Sequence, residues 1–456
     1  MAGPRIPTAA DHASPEPIER LTSPFLRFSR LSSAGGIVLI LCTVGAMLWA
    51  NSAAHGSYHH IFHGEQLRIA FGALDFSYSL GHWINDALMA LFFFVVGLEI
   101  KREVLVGELA SPRKAALPIA AAIGGMIGPA VIFAAVNAGE PTIRGWGVPM
   151  ATDIAFALGI LSLLGRRVPA SLKVFLTSLA IADDLGALVV IALFYTESLA
   201  TDYLLYAAGV VAAMFACNLL RVRWPMVYFL LGVVLWILVY KSGVHATIAG
   251  VLGALTIPAT ARVGAGGYLG ASREALDTFE RLRDDPDQDV EISPQQRAAV
   301  WAVHKSSLQV MPVLHRLEDA LHPWTAFFVI PIFALANAGV EIHGEIGQTL
   351  GSRNTLGVIL GLCLGKPIGI LVACLLAVRL RLAALPTGVS WRHIFGVGCL
   401  GGIGFTMALF IANLAFKDTQ AELDHAKLGI LLASVLSAVA GLAVLASCRP
   451  QPAGAQ

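Results

Sequence analysis

Three aspartates and a lysine sit inside long apolar runs of this sequence, where their types and spacing could do chemistry. Asp183 and Asp184 are adjacent in LAIADDLGALVV, Asp153 follows Thr152 in GVPMATDIAFALGIL, and Lys366 interrupts LCLGKPIGILVAC. On an insertion scale each aspartate at the centre of a membrane helix costs about 2.5–3.5 kcal/mol, a cost that alanine would remove. Neighbouring residues on a helix point about 100° apart, so both aspartates can border one cavity, one meeting a cation while the other faces a partner such as Lys366. Hard monovalent cations take oxygen ligands, which carboxylates, a threonine hydroxyl and freed backbone carbonyls supply. Protons compete with the cation for the same carboxylate oxygens. A site that binds either species, faces either side and never crosses empty exchanges one for the other. Salt-bridge glue between helices would account for one aspartate and the lysine, but it leaves the second aspartate and Asp153 unpaired.

That chemistry requires the four residues to lie in a membrane. Of 456 residues, 56% are hydrophobic and 13% charged, against about 25% charged in soluble domains, and the mean hydropathy is +0.72. A single soluble core would read as amphipathic stripes. Here apolar runs long enough for a ~30 Å hydrocarbon layer recur along nearly the whole chain. The pattern predicts an all-α polytopic membrane protein of about twelve spans, centred near Leu41, Leu91, Ile127, Ile154, Leu185, Ala212, Val234, Ala249, Ile330, Leu364, Phe405 and Val435, with the seventh and eighth short.

With both termini cytoplasmic, 24 of the 31 lysines and arginines fall on the cytoplasmic side, the bias that orients membrane proteins. Six fall outside (Arg68, Arg144, Lys241, Arg353, Lys417, Lys427) and one, Lys366, lies within a span. Residues 1–32 read as a disordered cytoplasmic tail, 33–447 as one transmembrane domain, and 448–456 as a cytoplasmic C-terminal tail. The segment RFSRLSSAGGIVLILCTVGAMLWANSAA has the flanks of a cleavable signal, but a span-like run after a tail of about thirty residues favours a retained first helix. Cys42, Cys217, Cys363, Cys374, Cys399 and Cys448 show no CxxC spacing and read as small core residues, not as a disulfide or metal framework. No cofactor and no nucleic-acid partner are expected; the partners are the lipid bilayer, small ions and protons.

Two spans are interrupted. In the fourth, Pro149 removes a backbone hydrogen bond, and Thr152 and Asp153 are residue types that cap a new helix start. Either the helix is kinked beside an ordinary polar residue, or it breaks at the bilayer midplane with Asp153 facing the positive end of its second half. The eleventh, IFGVGCLGGIGFTMALFIANLAF, crowds Gly396, Gly398, Gly401, Gly402 and Gly404 ahead of Thr406; so much glycine could also simply permit close packing. One interruption in each half fits inverted repeats, spans three to five and ten to twelve, entering from opposite sides around a midplane site. Irregular backbone at that depth survives only when buried in protein or lining a wet cavity.

Other functions fit less well. A sodium-coupled symporter of an organic anion would need polar and basic groups around a larger cavity, where only small Gly and Ala stand. An intramembrane aspartyl protease draws its two aspartates from different helices, unlike the neighbours Asp183 and Asp184. A channel has little use for a midplane lysine. The expectation is a secondary transporter and not an enzyme, with the organic-anion symporter as the alternative.

The segments WINDALMALFFFVVGLEIKRE, AAIGGMIGPA, ATDIAFALGIL, LAIADDLGALVVIALFYT, VYKSGVHATIAGVL, LHPW, PIFALANAGV, GKPIGI and GIGFTMALFIANLAF follow one another between about Ser33 and Leu445. Together they resemble the bacterial NhaA-type sodium–proton antiporters, a family that is itself an instance of the inverted-repeat plan. The resemblance implies a multi-pass inner-membrane protein that expels sodium or lithium by letting protons in. Two carboxylates yielding two protons per sodium ion would make the exchange electrogenic. By this likeness Asp183 and Asp184 bind Na+ and the protons, and Thr152 and Asp153 lie where two broken helices, spans four and eleven, cross. Asp153 would compensate the helix N-termini there, and Lys366 the opposing C-termini while pairing with Asp183.

The resemblance further implies pH regulation from a cytoplasmic funnel. Glu99, Glu103, Glu318 and His322 would form the sensor, and His245 occupies a position linked to the pH response. Two departures bear on its set-point. The cytoplasmic loop 259–320 is longer than typical, with an acidic patch at Asp284–Glu291, and Asp319 stands where well-known members have a histidine. In the outer loop 51–81, alternating apolar residues around Gly72 in QLRIAFGALDFSYSL read as a β-hairpin or a plain ordered loop. The resemblance implies a periplasmic hairpin, residues 65–80, that joins two copies into a homodimer.

Overall fold

Apolar runs of this length must close their backbone hydrogen bonds within themselves if they lie in lipid, and helices do so. The computed structural model describes residues 34–71, 74–196, 199–282, 293–341 and 346–448. The expected N-terminal tail, residues 449–456 of the C-terminal tail, the acidic patch 284–291 and the turn at Gly72 lie outside the described residues.

Helix α1 (Ala34–Ala50) turns by 119° into the short α2 (His55–Gly64). Strands β1 (Gln66–Phe71) and β2 (Leu74–Ser79) pair antiparallel, Gln66 opposite Ser79 and Phe71 opposite Leu74. Then come α3 (Leu80–Val106), α4 (Pro112–Val136), a tight 3-10 segment (Pro141–Met150) that bends by 45° into α5 (Ile154–Leu163), and α6 (Ala170–Phe194). After α7 (Thr201–Leu219) stand two shorter apolar helices, α8 (Pro225–Lys241) and α9 (Thr247–Thr256). Next, α10 (Ala265–Arg281) and α11 (Pro294–Val310) pack on each other. The described chain continues through α12 (Val313–Asn337), α13 (Arg353–Arg379), α14 (Trp391–Gly401), α15 (Phe405–Ala415) and α16 (Gln420–Ala446), with a 46° bend between α14 and α15. Seven of these helices are long and apolar enough to cross a membrane, or up to ten if each bent pair is one span. The chain is a multi-pass membrane protein. The α10–α11 pair is not visible to a search for apolar spans, because its polar residues keep mean hydropathy low.

The interrupted spans are truly broken. The first break, residues 151–153, separates two 10-residue pieces, and the second, residues 402–404, separates two 11-residue pieces. In the fourth span the piece before the break is 3-10 rather than α-helical. Each broken span is the middle of a trio. In both trios the first helix packs on the third (α4 on α6, α13 on α16), and α4 and α13 pack on each other.

Glycine sets that last approach. A Cβ on Gly124 would overlap the Gly369 carbonyl, one on Gly128 the Gly365 carbonyl, and one on Gly365 would come to 2.7 Å from the Pro129 Cα. Small residues four apart on both helices let their backbones meet. Directly before Lys366, residues Gly361–Gly365 widen into a π turn. Pro367 has no N–H to return to the Cys363 carbonyl, and the wider turn absorbs the missing bond.

Candidate functional site

Breaking two helices in mid-span leaves orphan N–H groups at two new starts and orphan carbonyls at two ends. The site is the solution to that deficit. Asp153, in extended conformation just before α5, accepts from the Phe156 N–H through Oδ1 at 3.0 Å. Its other oxygen, Oδ2, accepts from the Thr406 N–H at 3.2 Å and the Thr406 hydroxyl at 2.5 Å, in the first turn of α15. One carboxylate thus caps the positive ends of both second halves. The Asp153 N–H donates to the Ile403 carbonyl at 2.7 Å, so the two breaks touch. The carbonyl ends are served in turn. The Thr152 hydroxyl donates to Gly401, the last residue of α14, at 3.0 Å, and the Lys366 ammonium donates to the carbonyl of Met150, the last residue of the 3-10 segment.

Asp183 and Asp184 come from α6, which passes the crossing. Asp183 Oδ2 pairs with Lys366 Nζ at 2.7 Å, both side chains 1% exposed. Asp184, only 2% exposed, lies within electrostatic reach of Asp183, Glu99, Asp153 and Lys366. Oδ1 of Asp183 and Oδ1 of Asp184 are both buried and accept no hydrogen bond among the described residues. Buried carboxylate oxygens without a donor are rare, and a proton or a hard cation is what such an oxygen can take. The structure therefore brings Thr152, Asp153, Asp183, Asp184 and Lys366 together. Among the described residues no group of three His, Cys, Asp or Glu could hold a metal ion.

Four of the five expected pH-sensing residues also cluster, between α3 and α12. Arg102 forms an ion pair with Glu318 and lies 3.4 Å from Glu103, while Glu99 stands 3.7 Å from His322. His245 is elsewhere: it precedes α9, and its ring meets Phe410 edge-on at 6.3 Å between centroids. Two participants escape a reading of residue types. Arg102 organises the α3–α12 cluster from within an ordinary charged helix end. Thr406 carries no charge, and only its place after the glycine run marked it.

A family model described as "Na+/H+ antiporter 1" matches residues 26–445. A protein of Oleidesulfovibrio alaskensis named "Na(+)/H(+) antiporter NhaA" is 51% identical over 429 residues, 94% of this chain and 95% of its own. A protein of the same name from Koribacter versatilis is 48% identical over 94% of this chain and 92% of its own. "Na(+)/H(+) antiporter NhaA 2" of Clostridium beijerinckii is 43% identical over 93% of this chain and 94% of its own.

Proposed function

The chain belongs to the Na+/H+ antiporter 1 family, and on that premise we propose that it is a secondary antiporter of the bacterial inner membrane, expelling sodium or lithium in exchange for two entering protons. One observation carries the reading. Asp183 and Asp184 are adjacent and buried, and each keeps an oxygen to which no group among the described residues donates. Asp184, free of ion pairs among the described residues, is the first carboxylate a cation meets. Asp183 joins when its contact with Lys366 opens, and the Met150 carbonyl keeps hold of the ammonium meanwhile.

Charge distinguishes the empty site from the loaded ones. With both carboxylates bare, two negative charges stand side by side in a low-dielectric interior, which penalises that arrangement, and with Lys366 the site sums to one negative charge. A sodium ion cancels it, and two protons turn it into one positive charge. The loaded states differ by one charge, so the cycle is electrogenic. Asp153 and Thr152 hold the crossing, so that the two broken helices move as one unit. Adding α8 and α9 to the ten crossings gives twelve, with the two trios as inverted repeats and both termini cytoplasmic by the Lys/Arg bias. The Arg102–Glu318 and Glu99–His322 contacts join α3 to α12 and serve as the pH-responsive element of this reading.

Everted membrane vesicles with a preformed pH gradient test it. NaCl or LiCl should collapse the gradient with the wild type and not with Asp184→Asn, while Glu318→Gln should still exchange but with its activity profile displaced along pH. The apparent cation affinity should fall toward acid pH, by up to about a hundredfold per unit when two protons compete. No collapse at any pH would overturn the antiporter, and collapse with Asp184→Asn would discard the site.

A further inference from the structure

The piece of the fourth span that ends in Met150 is 3-10 helix over ten residues, Pro141–Met150. Runs longer than three or four residues are uncommon, because the 3-10 hydrogen bond is poorly aligned. Gly145, Gly147 and Pro149 weaken an α-helix there as well, so contacts from outside decide the form. The end of α6 supplies them. Tyr195, directly after α6, donates its hydroxyl to the Arg144 carbonyl at 2.9 Å and accepts from the Gly147 N–H at 3.3 Å. Arg144 and Gly147 stand three apart, the spacing of one 3-10 rung. A Cβ on Gly147 would come to 2.8 Å from the same hydroxyl, so the close approach needs glycine. Beside it, Phe194 meets Trp146 edge-on at 5.0 Å between centroids.

Helix α6 therefore grips this piece twice. Near its start Tyr195 holds it directly, and at its end Asp183 holds Lys366, whose ammonium also donates to the Met150 carbonyl. The form of the piece sets where that carbonyl stands. A 3-10 helix rises about 2.0 Å per residue and an α-helix about 1.5 Å. Relaxing the stretch from Arg144 to Met150 into α-helix would draw the carbonyl back by ~3 Å, out of hydrogen-bond reach. We propose that Tyr195 is a positioning residue for the transport site: its hydroxyl keeps the piece in 3-10 form and so keeps the Met150 carbonyl on the Lys366 ammonium. Without that carbonyl the ammonium has Asp183 as its remaining acceptor among the described residues, and a cation must then displace a tighter pair. The consequence for cation binding rests on the antiporter reading; the hold on the backbone does not.

Two measurements on the full chain test this, with Tyr195→Phe, which removes the hydroxyl and leaves the ring. Hydrogen exchange in detergent reads the N–H groups of Gly147, Val148, Met150 and Ala151, which should exchange at least tenfold faster in the variant. Sodium-driven collapse of a pH gradient in everted vesicles reads transport: the apparent KM for sodium should rise at least threefold while the maximal rate stays within twofold. Thr196→Val removes a neighbouring hydroxyl that serves only its own helix, through the Ala192 carbonyl, and should change neither. If Tyr195→Phe does not fold, Gly147→Ala pushes the same contact apart and should raise KM in the same direction. Unchanged exchange at these N–H groups overturns the proposal, as does an unchanged KM or an equal rise with Thr196→Val. A wild type that transports no sodium would instead overturn the antiporter reading, and the exchange rates alone would then decide whether Tyr195 holds the backbone.

Discussion

Asp183 and Asp184 are neighbours with unequal attachments. Asp183 holds Lys366 at 2.7 Å, whereas Asp184 makes no hydrogen bond or ion pair among the described residues. Removing Asp183 strands a buried ammonium on the Met150 carbonyl, and breaking one side of a buried pair costs about 3–5 kcal/mol. Removing the charge of Asp184 breaks no described contact and relieves a like-charged neighbour. Asp183→Asn should therefore lower the unfolding midpoint in detergent clearly, while Asp184→Asn leaves it level or raises it. Equal destabilisation by both would reject this division of roles. The aspartates and the lysine are legible in the sequence because a charge inside an apolar run is costly and has few idle explanations. Their backbone partners are not. Every residue has a carbonyl, and only the crossing selects those of Met150, Gly401 and Ile403. Lys101 is hidden in the same way. Within an unremarkable charged helix end, its ammonium donates to the Leu255 and Ile257 carbonyls at 2.7 and 2.5 Å and closes the end of α9.

At the scale of elements, hydropathy locates the spans, and Pro149 with the glycine run at 401–404 locates both breaks. It does not reveal how closely α4 and α13 approach, since a glycine pair on one helix means little until a glycine pair faces it. Gly369 offers a direct test. Replacing a helical glycine by alanine gains about 1 kcal/mol of helix propensity, but overpacking a filled contact costs about 1–3 kcal/mol. A Cβ on Gly369 would meet the Gly124 carbonyl carbon at 2.9 Å and its oxygen closer still, whereas one on Gly232 would meet nothing within 4 Å. Gly369→Ala should then lower thermal stability and slow exchange, because it pushes α13 outward one turn from Lys366. Gly232→Ala should be neutral or stabilising. A Gly369→Ala protein as stable and active as wild type would mean that the α4–α13 contact yields freely and does not position the lysine. The π turn before Lys366 is a further feature that residue types suggest only in hindsight, through Pro367.

Two predictions belong to the whole molecule. The β1–β2 ladder has only two strands among the described residues, and a lone pair of strands is marginal by itself, so we propose that its edges meet a second copy across a two-fold axis. Deleting residues 66–79 should convert dimer to monomer in sedimentation while helix content is kept; an unchanged dimer would place the contact elsewhere. The second is charge movement. At the proposed stoichiometry, two protons entering for each sodium ion leaving carry one net charge inward, and one charge crossing 100 mV is worth about 2.3 kcal/mol. That energy supports a roughly fiftyfold sodium gradient with no pH difference, by the factor of ten per ~1.4 kcal/mol that governs any equilibrium. Sodium-loaded proteoliposomes held at equal pH should therefore lose sodium faster when a potassium–valinomycin potential makes the interior negative, and slower when it is reversed. A one-for-one exchange carries no net charge and would not respond. The adjacent aspartates would then act in turn and not together, with only one of them losing its proton in each cycle.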